Sequence, residues 1–527
     1  MTVPTTHEST SKTPGEEDHG VPRNEVIRQV AGLFVGIALA LLVYFLFPAN
    51  AVETVLQSPG ADAETEYSLQ SIRIVAAITI LMGVWWMTEA IPLAATALIP
   101  IAVFPIAGVA PMAKVTGPYA SATIFLFLGG FLLALSLQRW NLHRRLALYV
   151  VRAVGTSPKR LILGFMIATG FMSMWVSNTA TAVVMLPIGI SVLHLTAETV
   201  GGMKQQKNFA TALMLAIAYA ASIGSLGTLI GTPPNALLAG YMRETHGIDI
   251  GFGQWMMVGM PVAIVFTVLA WLVLVTVFKP EMKDIPGGKE LIQREIDDMG
   301  PWTRPQIKVG VVFLLAAVSW VAIPLLRDSL DWSFTYDDAI VGIVAGLILF
   351  ILPADREHGV RLLDWKTANE LPWDVLLLFG GGLSLSAMFN ASGLSLWIGE
   401  QAKGLGSLPL FLLIGAVALL VLFLTEITSN TATAATFLPI MGGVAVGIGL
   451  TANGDINVLL LAIPVALSAT CAFMLPVATP PNAIAYGSGY VTIGQMIKGG
   501  LWLNIIACVL ITFATYFIAV PVFGLLG

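Results

Sequence analysis

Charge is what this 527-residue chain has least of: Asp, Glu, Lys and Arg make up 11% of it, against 57% hydrophobic residues. No water-soluble core of this length needs that ratio, and with a mean hydropathy of +0.84 the chain reads as an all-α polytopic membrane protein. Cysteine is nearly absent. Cys471 and Cys508 both lie inside apolar segments, which argues against a disulfide framework and a Cys-based metal site. The first twenty or so residues hold no apolar stretch, so no cleaved secretory signal is expected; residues 1–24 read as a disordered cytoplasmic tail. HExxH, a nucleophile elbow and a Cys/His cluster are all missing, so an enzyme is not expected, and neither is a nucleic-acid partner.

What is present in abundance is long apolar sequence. Runs able to cross about 30 Å of hydrocarbon at ~1.5 Å per helical residue fall near 29–48, 71–88, 91–111, 122–138, 209–241, 254–278, 309–326, 338–353, 374–390, 457–489 and 500–524, which makes eleven spans. Two further apolar segments, 161–196 and 408–450, carry a polar run at their middles. The first is bracketed by Arg139, Arg144, Arg145, Arg152, Lys159 and Arg160 on one side and by Lys204 and Lys207 on the other, so both its ends are expected in the cytoplasm. A single crossing is thereby ruled out. The absence of a charged loop at the polar tip favours a re-entrant hairpin over a pair of spans. With an inside N-terminus and two hairpins, 21 of the 26 Lys and Arg fall inside and the C-terminus lies outside.

The polar runs are identical. Ser177-Asn178-Thr179-Ala180-Thr181-Ala182 recurs at Ser429 to Ala434, and over 177–188 and 429–440 nine of twelve positions match. Each copy is followed by Thr-Pro-Pro-Asn-Ala, at Thr232 to Ala236 and Thr479 to Ala483. The offset of 252 residues also lays Phe127, Gly129 and Gly130 over Phe379, Gly381 and Gly382. Five spans separate equivalent points, and an odd number inverts the copy. This is the inverted-repeat pattern of secondary transporters, whose binding site lies near the midplane where the repeats meet. The mixed-charge stretch 279–308 reads as the cytoplasmic connector, partly an amphipathic helix.

Non-helical chain at membrane depth survives only where protein or a water-filled cavity satisfies its backbone. Four breaks are expected here. The two Ser-Asn-Thr tips start helices, so their N–H groups and positive dipole ends suit an anion. Thr232-Pro233-Pro234 and Thr479-Pro480-Pro481 interrupt spans and free upstream carbonyls, which with hydroxyls and carboxamide oxygens are hard, neutral cation ligands. No Lys or Arg lies in any of the four motifs, so a bound anion needs helix termini and a co-bound monovalent cation to neutralise it. The glycines Gly129-Gly130 and Gly380-Gly381-Gly382 read as close helix packing. Glu89, at a span end, reads as an interfacial group; Glu426, three residues before Ser429, has a proton site among its readings.

At these motifs, and from about residue 25 to the end, the sequence resembles the divalent anion/sodium symporter family, which includes the INDY-type dicarboxylate transporters. The resemblance implies a homodimer working as an elevator-type transporter in the cell membrane. A scaffold would comprise 25–160 and 309–407, and a mobile transport domain 161–278 and 408–527. Co-transported sodium ions are implied, the first held by Ser173, Ser177, Asn178 and the backbone near Gly231, the second by Thr425, Thr428, Asn430 and the backbone near Ala478. Substrate carboxylates would meet Asn178, Thr179, Asn430 and Thr431, with Thr232, Pro233, Thr479 and Pro480 shaping the wall. Thr428 stands where the family often has a small apolar residue. The implied activity is sodium-coupled import of C4 dicarboxylates such as succinate, malate and fumarate; a sodium-independent exchanger, or a citrate or sulfate transporter of the same fold, remain alternatives.

Overall fold

The structure, a computed structural model, describes residues 23–527 except 59–60, 63–64, 156, 286, 330–335, 451–455 and 527. The expected tail therefore lies, up to residue 22, outside the described residues. Among those described, nine helices are long and apolar enough to cross a membrane and four shorter apolar helices accompany them. The only strands among the described residues form a small antiparallel ribbon, Pro353–Asp355 with Val360–Arg361.

Helices form where expected, with one correction. The run 91–111 is not one span: it breaks into Leu93–Thr96 and Ile99–Ile106. Pro92 precedes the first piece, Pro100 sits in the first turn of the second, Pro105 removes a donor near its end, and Gly108 turns away at φ 71°. Two helices not anticipated in the linkers, Leu142–Val154 and Leu394–Ala402, follow spans 122–139 and 373–392. Both lead into hairpins. The first hairpin is Pro158–Ser173 with Asn178–Val200; the second is Leu410–Thr425 with Asn430–Gly447.

The connector forms the helix Gly288–Asp298 and packs on Leu142–Val154. Arg144 pairs with Glu295 at 2.8 Å. Arg145, 2% exposed, is charged yet buried because its guanidinium donates to the carbonyls of Met299 (2.9 Å) and Gly300 (2.8 Å) and lies over the Trp302 ring. Outside the spans, Arg139 also pairs with Asp364 at 2.6 Å, and that hydrogen bond holds the carboxyl down at about 2.

The repeat is visible in the packing. A Cβ on Gly129 would lie 2.3 Å from the Gly342 carbonyl carbon, and one on Gly381, 252 positions later, 2.5 Å from the Ala97 oxygen. At equivalent glycines in the two halves a helix backbone therefore meets other backbone directly, that of a helix at Gly342 and that of the link at Ala97. At the centre lie two broken helices, Lys207–Ser225 with Pro233–His246 and Leu459–Thr470 with Pro480–Gly487. Every residue of Leu459–Thr470 is buried, as is every residue of Phe209–Ser225. The short pieces after the breaks cross over: Pro233–His246 packs on Asn430–Gly447 and Leu459–Thr470, while Pro480–Gly487 packs on Asn178–Val200 and Lys207–Ser225. Each half thus completes the other. At the periphery, Arg23–Leu46 and Arg304–Ser329 leave long apolar side chains such as Phe45, Leu314 and Leu325 exposed, which suits lipid and not water.

Candidate functional site

The two hairpin tips turn at short non-helical links, after which helices start at Asn178 and Asn430. Ser177 caps the first, its Oγ accepting the Ala180 N–H at 3.3 Å. Behind each tip three oxygens crowd together. Ser173 Oγ lies 2.5 Å from Asn178 Oδ1 and 2.6 Å from the Ala221 carbonyl. Thr425 Oγ1 lies 2.7 Å from Asn430 Oδ1 and 2.6 Å from the Ala469 carbonyl. A hydroxyl has one proton to give, so in each trio two acceptors compete for it. Oxygen clusters short of hydrogen are what a hard monovalent cation relieves. Ser173 and Thr425 are fully buried, which places them behind the tips and not on the cavity wall.

The Thr-Pro-Pro breaks supply the opposite wall. Prolines occupy the first turn of Pro233–His246 and Pro480–Gly487, where their missing N–H groups cost nothing. Thr479 Oγ1 accepts from the Asn482 N–H at 3.3 Å, whereas the Thr232 hydroxyl lies 3.3 Å from that of Thr470, across the two halves. Gly231 must be glycine, since a Cβ there would sit 2.3 Å from the Ser225 carbonyl oxygen. Its counterpart in the second half is Ala478.

These four elements surround a cavity of about 710 Å³. Of the residues expected at the site, Ser177, Asn178, Thr179, Gly231, Thr232, Pro233, Thr428, Asn430, Thr431, Ala478, Thr479 and Pro480 line it. Thr428 differs from a free ligand: its hydroxyl donates to the Leu424 carbonyl at 2.8 Å and meets the Thr433 hydroxyl at 2.6 Å, closing the tip on itself.

The mouth of the cavity has no signature in the sequence. Arg28, Gln138, Glu370 and Asp374 line the cavity together with Glu89, and Arg28 pairs with Glu89 at 3.0 Å. No signal in the sequence points to Arg28, because its arrival at the cavity depends on how the first helix packs. The carbonyls of Ala221 and Ala469, inside featureless apolar helices, were equally invisible. Glu426 has a structural task. Its carboxylate accepts from the N–H groups of Phe473 (2.7 Å), Met474 (3.0 Å) and Leu475 (3.3 Å) and from the Asn504 carboxamide (2.7 Å). Both oxygens face donors, so besides the proton site among its readings Glu426 has the task of shaping the second break. Among the described residues there is no group of three or more His, Cys, Asp or Glu that could hold a metal ion.

On the opposite side, Arg243, near the end of Pro233–His246, pairs with Asp337 (2.6 Å) and Asp249 (3.3 Å), and the Phe252 N–H donates to Asp338 at 2.6 Å. Asp338 begins the helix Asp338–Ile351, whose far end leads through the ribbon to the mouth residues 370–374. Fourteen residues separate these two levels by roughly 20 Å.

The family described as "Sodium:sulfate symporter transmembrane region" matches residues 67–523. The sodium-dependent dicarboxylate transporter SdcS of Staphylococcus saprophyticus is 41% identical over 507 residues, 95% of this chain and 93% of its own. That of Staphylococcus aureus strain USA300 is 43% identical over 456 residues, 86% of each chain. Among solved structures, the YdaH transporter of Alcanivorax borkumensis superposes with TM-score 0.55 at 15% identity, covering 84% of this chain and 98% of that one. MtrF of Neisseria gonorrhoeae gives 0.52 at 12% identity, covering 95% and 97%; at such identities these two speak for the fold alone. With polar hairpin tips and broken helices enclosing one cavity, and a family match across most of its length, the chain belongs to the sodium:sulfate symporter family, the divalent anion/sodium symporters, and is a membrane transporter and not an enzyme.

Proposed function

We propose that this protein is a sodium-driven symporter that imports C4 dicarboxylates such as succinate, malate or fumarate into the cell. The observation that carries the reading is the pair of hydrogen-short oxygen trios, Ser173–Asn178–Ala221 and Thr425–Asn430–Ala469, behind the two tips of one cavity. Among the described residues its wall holds no Lys or Arg besides Arg28, which is already paired at the mouth. A dianion seated between Asn178, Thr179, Asn430 and Thr431 gains helix N-termini but no fixed positive charge. Sodium in the trios supplies it, which makes cation and anion binding mutually dependent. The SdcS relatives, sodium-dependent dicarboxylate transporters by name, support the same substrate class and coupling ion.

The elevator reading assigns the hairpins, both broken helices and the helices Phe252–Val277 and Ile493–Ala514 to the moving piece. The crossing of the two Thr-Pro-Pro helices ties that piece into one unit. With the N-terminus in the cytoplasm and the C-terminus outside, the mouth at Arg28, Glu89, Glu370 and Asp374 faces inward, and the Arg243–Asp337 pair closes the outer side. A homodimer would bury part of the apolar surface that the peripheral helices leave exposed.

Uptake of labelled succinate into proteoliposomes tests this. Rate should rise steeply with external sodium and collapse when choline replaces it; equal uptake in choline removes the symport reading. N178A and N430A should each abolish uptake while the purified protein stays folded, and wild-type uptake by either would remove the site assignment.

A further inference from the structure

Asn235 and Asn482 end the two Thr-Pro-Pro-Asn motifs, and transport as described above gives them no task. Both are fully buried, in the first turn of the helix that follows each break. Asn235 Nδ2 lies 2.9 Å from the Thr228 carbonyl and 3.4 Å from those of Ser225 and Leu226. Asn482 Nδ2 lies 3.0 Å from the Ala472 carbonyl and 3.1 Å from that of Leu475. The motif offset is 247 residues (482 minus 235), which carries Ser225 onto Ala472 and Thr228 onto Leu475. The two carboxamides therefore hold equivalent carbonyls. Carbonyls only accept, so each carboxamide must present its nitrogen to the backbone, and its oxygen must point elsewhere. Neither Oδ1 has a hydrogen-bond partner among the described residues. A buried acceptor without a donor destabilises a fold, and it occurs here twice at the same place.

We propose that Asn235 and Asn482 are positioning residues for cation binding, an inference that rests on the sodium-transport reading. Asn235 ties the end of the helix before its break, at Ser225, to the loop beyond it, and Asn482 ties together two points of its own loop, Ala472 and Leu475; both so set where the chain re-emerges at Gly231 and Ala478, the backbone positions that reach the cavity. The neutral N–H₂ group occupies the carbonyls that point into the protein and leaves the cavity-side ones free. Lys or Arg would hold the same loop, but would place a fixed positive charge where a cation must bind. Asn is the side chain that stitches without competing.

The two halves do not depend on this stitch equally. In the second, Glu426 also grips Phe473, Met474 and Leu475. At the corresponding position, 252 residues earlier, the first half has Met174, whose carbonyl accepts from Thr228 Oγ1 at 2.5 Å, and Trp255 Nε1 donates to the Leu226 carbonyl at 3.1 Å; neither contact gathers several backbone N–H groups as Glu426 does. Asn235 therefore carries more of its loop than Asn482 does.

The test is sodium titration of the purified full-length protein without carboxylate, read as thermal stabilisation. N235L, which removes the donor at nearly constant volume, should raise the sodium concentration for half-stabilisation about ten-fold, N482L about three-fold, and N235S, which keeps a shorter donor, should fall between wild type and N235L. A purely structural role would lower the melting temperature without sodium and leave the midpoint unmoved; that result, or a larger shift in N482L than in N235L, overturns the proposal. If N235L does not fold, an unshifted midpoint in both N235S and N482L overturns it. A wild-type protein that sodium does not stabilise would sink the sodium reading itself and not the role of the asparagines within it.

Discussion

Removing the Glu426 carboxylate is the sharpest stability test, because its cost can be worked from named donors. In Glu426→Ala the N–H groups of Phe473, Met474 and Leu475 and the Asn504 carboxamide lose their acceptor at once. Phe473 is fully buried and Asn504 is 2% exposed, so water reaches these groups poorly. An unsatisfied buried donor costs about 1–3 kcal/mol, and because several are orphaned together a total of about 3–5 kcal/mol is expected. The lower figure applies if water enters the space left by the side chain. Glu426→Gln keeps one acceptor oxygen but turns an N–H₂ group toward one or two of the backbone donors, for an expected loss of about 1–3 kcal/mol. The assay is the melting temperature of the purified protein, followed by sodium titration, since the gripped loop leads to Ala478. The order should be wild type, then Glu426→Gln, then Glu426→Ala, with sodium stabilisation weakened in the same order. A Glu426→Ala protein that melts like the wild type would refute the view that this carboxylate shapes the second break.

Other outcomes follow from single contacts. The Arg243–Asp337 pair is partly exposed, so its loss should release the outer side by only about 1 kcal/mol, a roughly five-fold shift in population; in a V477C background, reaction with a membrane-impermeant maleimide from outside should quicken in R243A and return to the starting rate in R243D/D337R. Asp364 has its carboxyl depressed to about 2 by Arg139, so its contribution is complete above the unfolded value near ~3.9 and is lost as pH falls through that range. Wild type and D364N should therefore differ in melting temperature by a constant small amount from pH 5 to 8 and converge in acid; a gap that widens in acid would contradict the pairing. Gly129→Ala would drive a Cβ into the Gly342 backbone and should destabilise by about 1–3 kcal/mol, whereas Gly494→Ala, with open space around it, should be neutral or mildly stabilising in the same melting assay.

Much of this molecule is written locally. Ser-Asn-Thr occurring twice at the middle of an apolar run, each time followed by Thr-Pro-Pro-Asn, points to breaks, because proline cannot continue a helix ladder and a duplicated polar run is more than a hydrogen-bonding contact between helices; hence the two helix pairs, the two broken helices and twelve cavity-lining residues are legible in the sequence. The prolines that split 91–111 were equally local, but an apolar window outweighed them. What the sequence could not specify were contacts set by how helices meet. Arg28 reaches the cavity only through the packing of the first helix, Ser173 and Thr425 meet carbonyls some forty residues away, and each Thr-Pro-Pro helix crosses to the other half. The backbone donors gathered by Glu426 belong to the same class. Composition and periodicity determine which segments leave the helix and which seek lipid; the partners that satisfy a broken backbone depend on long-range register, which the tertiary structure alone decides.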